Sequence, residues 1–418
     1  MGKDTFIKDA IYGYLIFNKD QIKLIDSFPI QRLKRIRQLA GSEYVYATAT
    51  HCRFSHSLGV SYLAEQLISN LLTKNEDGNE PLISKIKISA LLHDIGHSSF
   101  SHVFESILAD LGKNHEDMTE WLIMESEVAS LLEKINQDPK EISLLAVGKA
   151  PGKENKYLNQ IISSGIDVDS FDYIVRDSQF SGASYGFVDI FRLMLMMDII
   201  NDELAVNINA LNTLEAFVIA RYESFKSIYF HKTSRAVQIM LANALHAAKE
   251  DLGLTGFDTP KEYLQYDDYS MWYLLSKNEK SRGIIDDLSR RKLLKVAYNR
   301  SAHAKDQMFT SLINNFRIKE QIQKEIAEKA KLKIDDVIID LPNLPSVPYH
   351  ASSKVDPLEI PIYEKNKEGV NIIKRVSDVS SVIAALKGFL NIIRIYTSDE
   401  NREKVNKAAN QVFGEESI

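Results

Sequence analysis

One cysteine, Cys52, occurs in 418 residues, so an intramolecular disulfide and a thiolate metal cage are both excluded. Any metal would have to be held by histidine and carboxylate. Excess positive charge is also missing. The 51 basic and 57 acidic side chains leave a net charge of -6, without the global field of a dedicated nucleic-acid binder, and extended nucleic-acid contact is not expected. Long hydrophobic runs are lacking too. The longest, such as Leu193 to Ile200, are interrupted by charge well before the ~20 residues a membrane span needs. Met1 to Phe17 mixes Lys3, Asp4, Lys8 and Asp9 with apolar residues, unlike a secretory signal, and Phe6 stands where a myristoylation signal wants Ser or Thr. These absences predict a soluble, cytoplasmic protein with no membrane partner. The 44% hydrophobic and 26% charged composition is that of an ordinary globular chain, long enough for one large helical domain and a small one.

Apolar residues recur at helical spacing over most of the length, as in Val60, Leu63, Leu67 and Leu71 and, approximately, Ile284, Leu288, Leu293 and Val296, so the body is expected to be mostly α. Turn-rich breaks at Thr73 to Pro81, Asp138 to Asn155 and Asp251 to Pro260 read as loops between helices. Arg317 to Ile334 reads as an amphipathic, solvent-exposed helix rather than a basic binding patch. Prolines are few, and half of the 10 fall within Leu341 to Pro361, which predicts an extended linker or edge strand. Beyond it, Leu358 to Tyr363, Val370 to Arg375 and Leu390 to Tyr396 are short and β-branched, with a helical Asp378 to Leu386 between the last two. The expected organisation is a large helical domain over 1–340 followed by a linker and a small α+β subdomain over 341–418. The last residues, Gly414 to Ile418, are expected to fray.

Six of the 10 histidines (His51, His56, His93, His97, His102 and His115) fall in one short section. Within it, Leu91-Leu92-His93-Asp94-Ile95-Gly96-His97 places a His-Asp pair at the end of an apolar run. An ionised Asp there is costly to bury without a cation, and a divalent metal would supply one. Imidazole and carboxylate are usual ligands for such ions, and a set of two of each leaves coordination positions open to water and phosphate oxygens. A single His-Asp pair is more often a hydrogen-bonded core feature. Here His51-Cys52-Arg53-Phe54-Ser55-His56-Ser57-Leu58-Gly59-Val60 upstream and Gly165-Ile166-Asp167-Val168-Asp169-Ser170-Phe171-Asp172-Tyr173-Ile174-Val175-Arg176-Asp177 downstream are equally rich in ligand-type side chains, and this context reverses the odds.

These three segments, with Asp26 to Leu39, Tyr229-Phe230-His231-Lys232 and Arg290-Arg291-Lys292-Leu293, resemble the HD-domain phosphohydrolases, specifically the deoxynucleoside triphosphate triphosphohydrolase branch with dGTPase-like and SAM-and-HD-domain members. The likeness spans most of the chain, without a SAM domain. It implies that His56, His93, Asp94 and Asp169 hold a divalent metal, with Asp167 as the competing carboxylate and with Mg, Mn, Fe, Zn and Ni not distinguishable. It places Arg53 on phosphate and His97, His102 and His115 along the phosphate side, with His102 and Glu105 as a proton-donating pair. Tyr173 and Asp177 are expected at the phosphates and the sugar 3′-hydroxyl, Gln38, Leu39 and Tyr229 around the deoxyribose, and Arg221 within reach of a phosphate. A packed Leu and Tyr beside the 2′ position would disfavour ribonucleotides. The expected reaction is metal-dependent hydrolysis of a dNTP to deoxynucleoside and inorganic triphosphate.

Three positions depart from the family pattern. Ser170 stands where a phosphate-binding Lys is common, Phe225 where a His lines the pocket, and Phe230 where a Gln approaches the base, so base preference stays open. Asp26, Gln31 and Lys34 match an inter-subunit guanine-nucleotide site of regulated members, with Lys34 replacing an Arg and its bidentate fork. Nucleotide activation and a homotetramer are expectations of the resemblance alone. The rivals are an HD phosphohydrolase acting on a monophosphate, a cyclic nucleotide or a nucleic-acid end, and a nucleotide sensor or single-strand binder with a secondary HD site.

Overall fold

A computed structural model describes residues 4–74, 79–304, 316–341, 343–345, 360–386 and 389–414. The chain opens with an antiparallel hairpin of β1 (Thr5–Asp9) and β2 (Gly13–Phe17). Its period-2 pattern buries Leu15 and Phe17 and leaves Phe6, Tyr14 and Ile16 exposed. Gly13 takes a φ of 82° at the turn, a region open to glycine without steric cost. Asp9 Oδ1 closes the same turn by accepting the amides of Ile11 and Tyr12 at 2.8 and 3.1 Å.

Helices make up the body, as expected. α1 (Arg53–Lys74) and α2 (Glu80–Leu92) pack along each other, and α3 (His115–Glu125) and α4 (Val168–Ser181) complete the walls that carry the histidines. α1 packs on α4 and buries Val60, Leu63, Ala64, Leu67, Ile68 and Leu71 in an apolar cluster that also takes in residues of α5 (Leu211–Ser224). Removing one such Leu side chain costs about 2–5 kcal/mol. A second apolar core gathers α2 and α3 around α6 (Lys232–Ala248) and α7 (Asp268–Lys277).

The break expected over Asp138 to Asn155 contains a helix, Pro139–Ala146. Asp138 caps it by accepting the Lys140 amide, and Pro139 sits in the first turn, where its missing N–H costs nothing, so a turn-like dipeptide marks a helix start. The helical run expected through Leu293 and Val296 stops earlier. Its helix is Arg282–Ser289, and Val296 belongs to β5 (Lys295–Ala304).

Two small sheets flank the helices. β3 (Met197–Ile200) and β4 (Glu203–Asn207) are antiparallel, and β4 runs parallel to β8 (Pro361–Lys365), which pairs with β9 (Asn371–Arg375). Leu204, Val206 and Ile362 join this sheet to the core around α1. In the other sheet β5 pairs with β10 (Phe389–Thr397), which also pairs with β6 (Ile338–Asp340) and β7 (Asn343–Pro345). α8 (Phe316–Ala330) and α9 (Arg402–Phe413) cover it, and Ile326, Ala327 and Val405 are buried between them. The amphipathic stretch from Arg317 is therefore helical, with its apolar stripe docked rather than solvated. The expected helix over Asp378 to Leu386 is two short ones, Val376–Val379 and Ser381–Leu386. Most of the proline-rich stretch, 346–359, and the last residues, 415–418, lie outside the described residues.

Candidate metal centre and substrate cavity

Three helix ends converge. His56 comes from the first turn of α1, His93 caps the C-terminus of α2 with Asp94 next to it, and Asp169 lies in the first turn of α4. Ligand atoms of His56, His93 and Asp94 lie within 4.8 Å of one another. Asp169 Oδ1 is 3.0 Å from His56 Nε2 and 3.7 Å from His93 Nε2. Asp167 is engaged elsewhere. It is the N-cap of α4, and its oxygens accept the amides of Ser164 and Ser170 at 2.7 and 2.8 Å.

The chemistry of the four side chains suits a cation. His93 Nδ1 lies 2.8 Å from the Ala90 carbonyl, which can only accept, so the proton sits on Nδ1 and the lone pair on Nε2. That Nε2 is buried without a hydrogen-bond partner, 3.4 Å from Asp94 Oδ1. His56 repeats the device: Nδ1 is 2.8 Å from Asp172 Oδ2, turning Nε2 toward Asp169 and, at 3.6 Å, Asp94. Two imidazole lone pairs facing two carboxylates repel unless something positive stands between them. Metal-bound histidines are oriented by the same kind of outer partner. Burial lowers the His56 pKa, but the hydrogen bonds to Asp169 and Asp172 more than offset this, and it is pushed up to about 10. Burial raises the Asp94 pKa, yet the Arg53 guanidinium, 2.5 Å away, and both imidazoles hold it below the usual carboxylate range.

A cavity of about 550 Å³ opens on this centre, the size of a nucleotide-sized ligand pocket. At its metal end stand His93, Asp94, Asp169 and Arg53. Arg53 Nη2 is buried without a partner, a donor available to an anion. His97, His102 and His115 form one wall, His97 stacked on His115 at 4.1 Å between ring centroids. Burial, and then the Arg53 charge, push His97 well below the ordinary histidine pKa. The His102 ring is 70% exposed toward the opening, with Nδ1 3.6 Å from Glu105. Glu105 lies much closer to His115 Nδ1, so the tighter imidazole–carboxylate pair is Glu105 with His115 rather than with His102.

The far end holds Gln38, Leu39, Tyr173, Asp177, Arg221 and Tyr229 with Phe225 and Phe230. Leu39 and Tyr229 share one apolar cluster. The Tyr229 hydroxyl donates to Asp177 Oδ2, and Asp177 Oδ1 is 2.8 Å from His51 Nε2. Burial, and then the Asp177 charge, raise the Tyr229 pKa well above that of a free phenol. Arg221 Nη1 donates to the Gly165 carbonyl at 2.8 Å. Phe225 and Tyr229 bound a π-helical turn and meet edge to face at 4.6 Å, the irregular helix geometry that often marks functional sites. Ser170 does not reach the cavity: it is fully buried, and its hydroxyl donates to the Asp167 carbonyl. Asp26, Gln31 and Lys34 lie outside the cavity, where Lys34 Nζ donates to Gln31 Oε1 at 2.7 Å and Asp26 is exposed.

Several supporting residues escaped the sequence reading. Phe100 and Ser101 adopt φ values of 60° and 54°, costly for residues with a Cβ. Asp268 holds this segment by accepting the amides of Phe100 at 2.7 Å and Arg37 at 2.9 Å. The fully buried Arg32 donates to the carbonyls of Ile95 and His97 at 2.9 and 2.6 Å. Asp268 carries no local motif, because its role depends on a loop 168 residues away. His51 and Asp172 lay inside the motif segments, and their chemistry was the available signal.

Comparison with known proteins follows this geometry. A family model described as HD domain matches residues 53–177, and one described as HD associated region matches residues 188–417. The chain is 33% identical over 304 residues to a Dictyostelium discoideum protein named deoxynucleoside triphosphate triphosphohydrolase SAMHD1 homolog, covering 69% of this chain and 59% of that one. It is 29% identical over 309 residues to YwfO, an uncharacterized Bacillus subtilis protein, covering 70% of each. A crystal structure of a hypothetical protein from Aquifex aeolicus superposes with a TM-score of 0.80 at 28% identity, covering 97% of this chain and all of that one.

Proposed function

The chain belongs to the HD-domain phosphohydrolases that carry an HD-associated region, and from that premise we propose that it hydrolyses deoxynucleoside triphosphates to deoxynucleoside and inorganic triphosphate. The observation that carries this reading is the convergence of two lone-pair-locked imidazoles and two carboxylates beside the unpartnered Nη2 of Arg53, at the end of a cavity that Leu39 and Tyr229 narrow at the other.

His56, His93, Asp94 and Asp169 would hold a divalent ion, which when bound supplies Lewis acidity toward a phosphoryl oxygen and acidifies water. Arg53 orients a phosphate oxygen through its free N–H groups while its other arm stays on Asp94. Asp177, held by His51 and Tyr229, presents a fixed carboxylate to the sugar hydroxyl. Water adds to the α-phosphorus, the bond to the 5′-oxygen breaks, and His102 protonates that oxygen. His97 and His115 face the developing phosphate charge, with Glu105 holding His115.

The test is product analysis on all four dNTPs and on ATP, separating triphosphate from pyrophosphate and phosphate. Triphosphate from dNTPs and little turnover of ATP is expected. Equal efficiency on ATP and dATP removes the sugar-crowding argument, and Tyr229→Ala should relax the preference for deoxyribose before phosphate chemistry is lost. A second reading, hydrolysis of a monophosphate, a cyclic nucleotide or a nucleic-acid end, is favoured by Ser170, Phe225 and Phe230, which provide neither a lysine charge nor polar contacts to the base. In that case no inorganic triphosphate appears. Guanine-nucleotide activation through Asp26, Gln31 and Lys34 in a homotetramer belongs to the same proposal.

A further inference from the structure

We propose that Asp9, at the turn of the N-terminal hairpin, is a positioning residue for the imidazole of His56, acting through Arg176 and Asp172. The proposal rests on the reading of His56 as a metal ligand. Arg176 is buried at 1% exposure and spends its guanidinium on two carboxylates. Its Nε donates to Asp172 Oδ2 at 2.7 Å, its Nη2 to Asp172 Oδ1 at 2.9 Å, and its Nη1 to Asp9 Oδ2 at 2.9 Å. Asp172 Oδ2 also accepts the Nδ1 proton of His56 at 2.8 Å. Four side chains from the hairpin, α4 and α1 thus form one unbroken line ending at the Nε2 that faces Asp94 and Asp169.

The line has little freedom. A carboxylate bound by an imidazole alone can rotate about its own axis, and the two-point grip of Arg176 removes that rotation. The grip is itself fixed at a third point by Asp9. Gly59 on α1 packs directly over the pair: a Cβ there would stand 2.1 Å from Asp172 Oδ1 and 2.5 Å from Arg176 Nη2. Asp9 in turn cannot drift, since its other oxygen closes the hairpin turn. The hairpin is pinned a second time by Lys87, whose Nζ donates to the Ile16 carbonyl at 2.8 Å and to Glu65 at 2.7 Å. Neither Asp9 nor Arg176 lines the cavity, so neither can act on substrate directly. The competing explanation is a buried ion-pair network that serves stability alone.

Asp9→Asn separates the two, because asparagine keeps an oxygen for the turn amides and loses the charge facing Arg176. The measurements are Mn²⁺ affinity of the full-length protein by chelator competition, thermal melting of the metal-free protein, and steady-state kinetics on a dNTP. The expected result is an Mn²⁺ affinity about 3- to 10-fold weaker, less than the roughly 10- to 100-fold lost with a partner that touches the ligand, because Arg176 and Asp172 stand between Asp9 and His56. It should come with a lower kcat and an unchanged KM. Phe6→Ala, on the exposed face of the same hairpin, should leave the affinity at the wild-type value. Should Asp9→Asn fail to fold, Asp9→Ser, which also keeps a turn-capping oxygen, and Asp9→Glu, which keeps the charge, replace it: weaker affinity in the former with wild-type affinity in the latter is then expected. A lower melting temperature with unchanged Mn²⁺ affinity overturns the proposal and leaves Asp9 a stability residue. His56→Ala in parallel locates the failure. If it binds Mn²⁺ as tightly as wild type, the metal-ligand reading itself falls; if it loses the ion while Asp9→Asn does not, only the link through Arg176 falls.

Discussion

The tautomers of His56 and His93 are dictated by what their Nδ1 atoms can donate to, and the consequence is a centre that must hold either protons or a cation. Asp94→Ala and His56→Ala should each lower metal affinity by at least about tenfold and remove turnover with it, because each deletes a donor from a site with four. Metal analysis of the purified variants checks this, and full occupancy with normal turnover in Asp94→Ala excludes the site. The same centre predicts a pH dependence. Metal-free His56 is raised from the ordinary 6.5 to about 10, so its contribution to stability is complete below pH 6.5 and is lost as the pH climbs through 10. Melting of the metal-free protein should therefore weaken across that interval. Metal affinity should rise over the same range, since ligation displaces the His56 proton, and calorimetry in buffers of different ionisation enthalpy should detect its release.

At the scale of elements, the segment between α2 and α3 carries three catalytic candidates on a backbone that would not hold its shape alone. Phe100 and Ser101 stay left-handed because Asp268 on α7 receives the Phe100 amide, while Arg32 secures the carbonyls of Ile95 and His97. Asp268→Ala leaves the buried Phe100 amide and the half-buried Arg37 amide without their acceptor, at about 1–3 kcal/mol for the former and less for the latter. We expect kcat to fall and the melting temperature to drop while metal content stays at the wild-type level, because His56 and Asp169 lie on other elements and His93 and Asp94 are held at the end of α2, several residues before Phe100. Metal lost in parallel with kcat would show that the loop and the metal centre are one cooperative unit.

Across the whole molecule, the proposed activator site between subunits would use the exposed Asp26 and the Lys34–Gln31 pair. An activator that favours an assembled form must itself bind that form more tightly. Sedimentation with and without GTP or dGTP, paired with rates on a second dNTP, measures both sides of this linkage. The expected outcome is a heavier, faster enzyme with guanine nucleotide and an Asp26→Ala variant that responds to neither while keeping its metal. If wild-type mass and rate are both indifferent, the enzyme is constitutive. The membrane question is simpler: among the described residues no helix is long and apolar enough to cross a bilayer.

By itself the sequence determined the mostly helical class and the clustering of chemistry in three segments, because the period of apolar residues and the types of ligand side chain are written locally. It also marked the β-branched C-terminal strands. Tertiary structure decided the rest. For Asp169 and Asp167, between which the resemblance had already chosen, it supplied the geometry: at the folded start of α4 Asp167 caps the helix and Asp169 faces the imidazoles. It set Glu105 against His115 as well as His102, turned Ser170 away from the cavity and brought Asp268 to a distant loop. Each of these depends on where a side-chain oxygen points after packing, and sequence spacing does not specify that direction. The hairpin shows the same limit. Asp9 reads as one charge among several near the start of the chain, and only folding sets it against Arg176, 167 residues away.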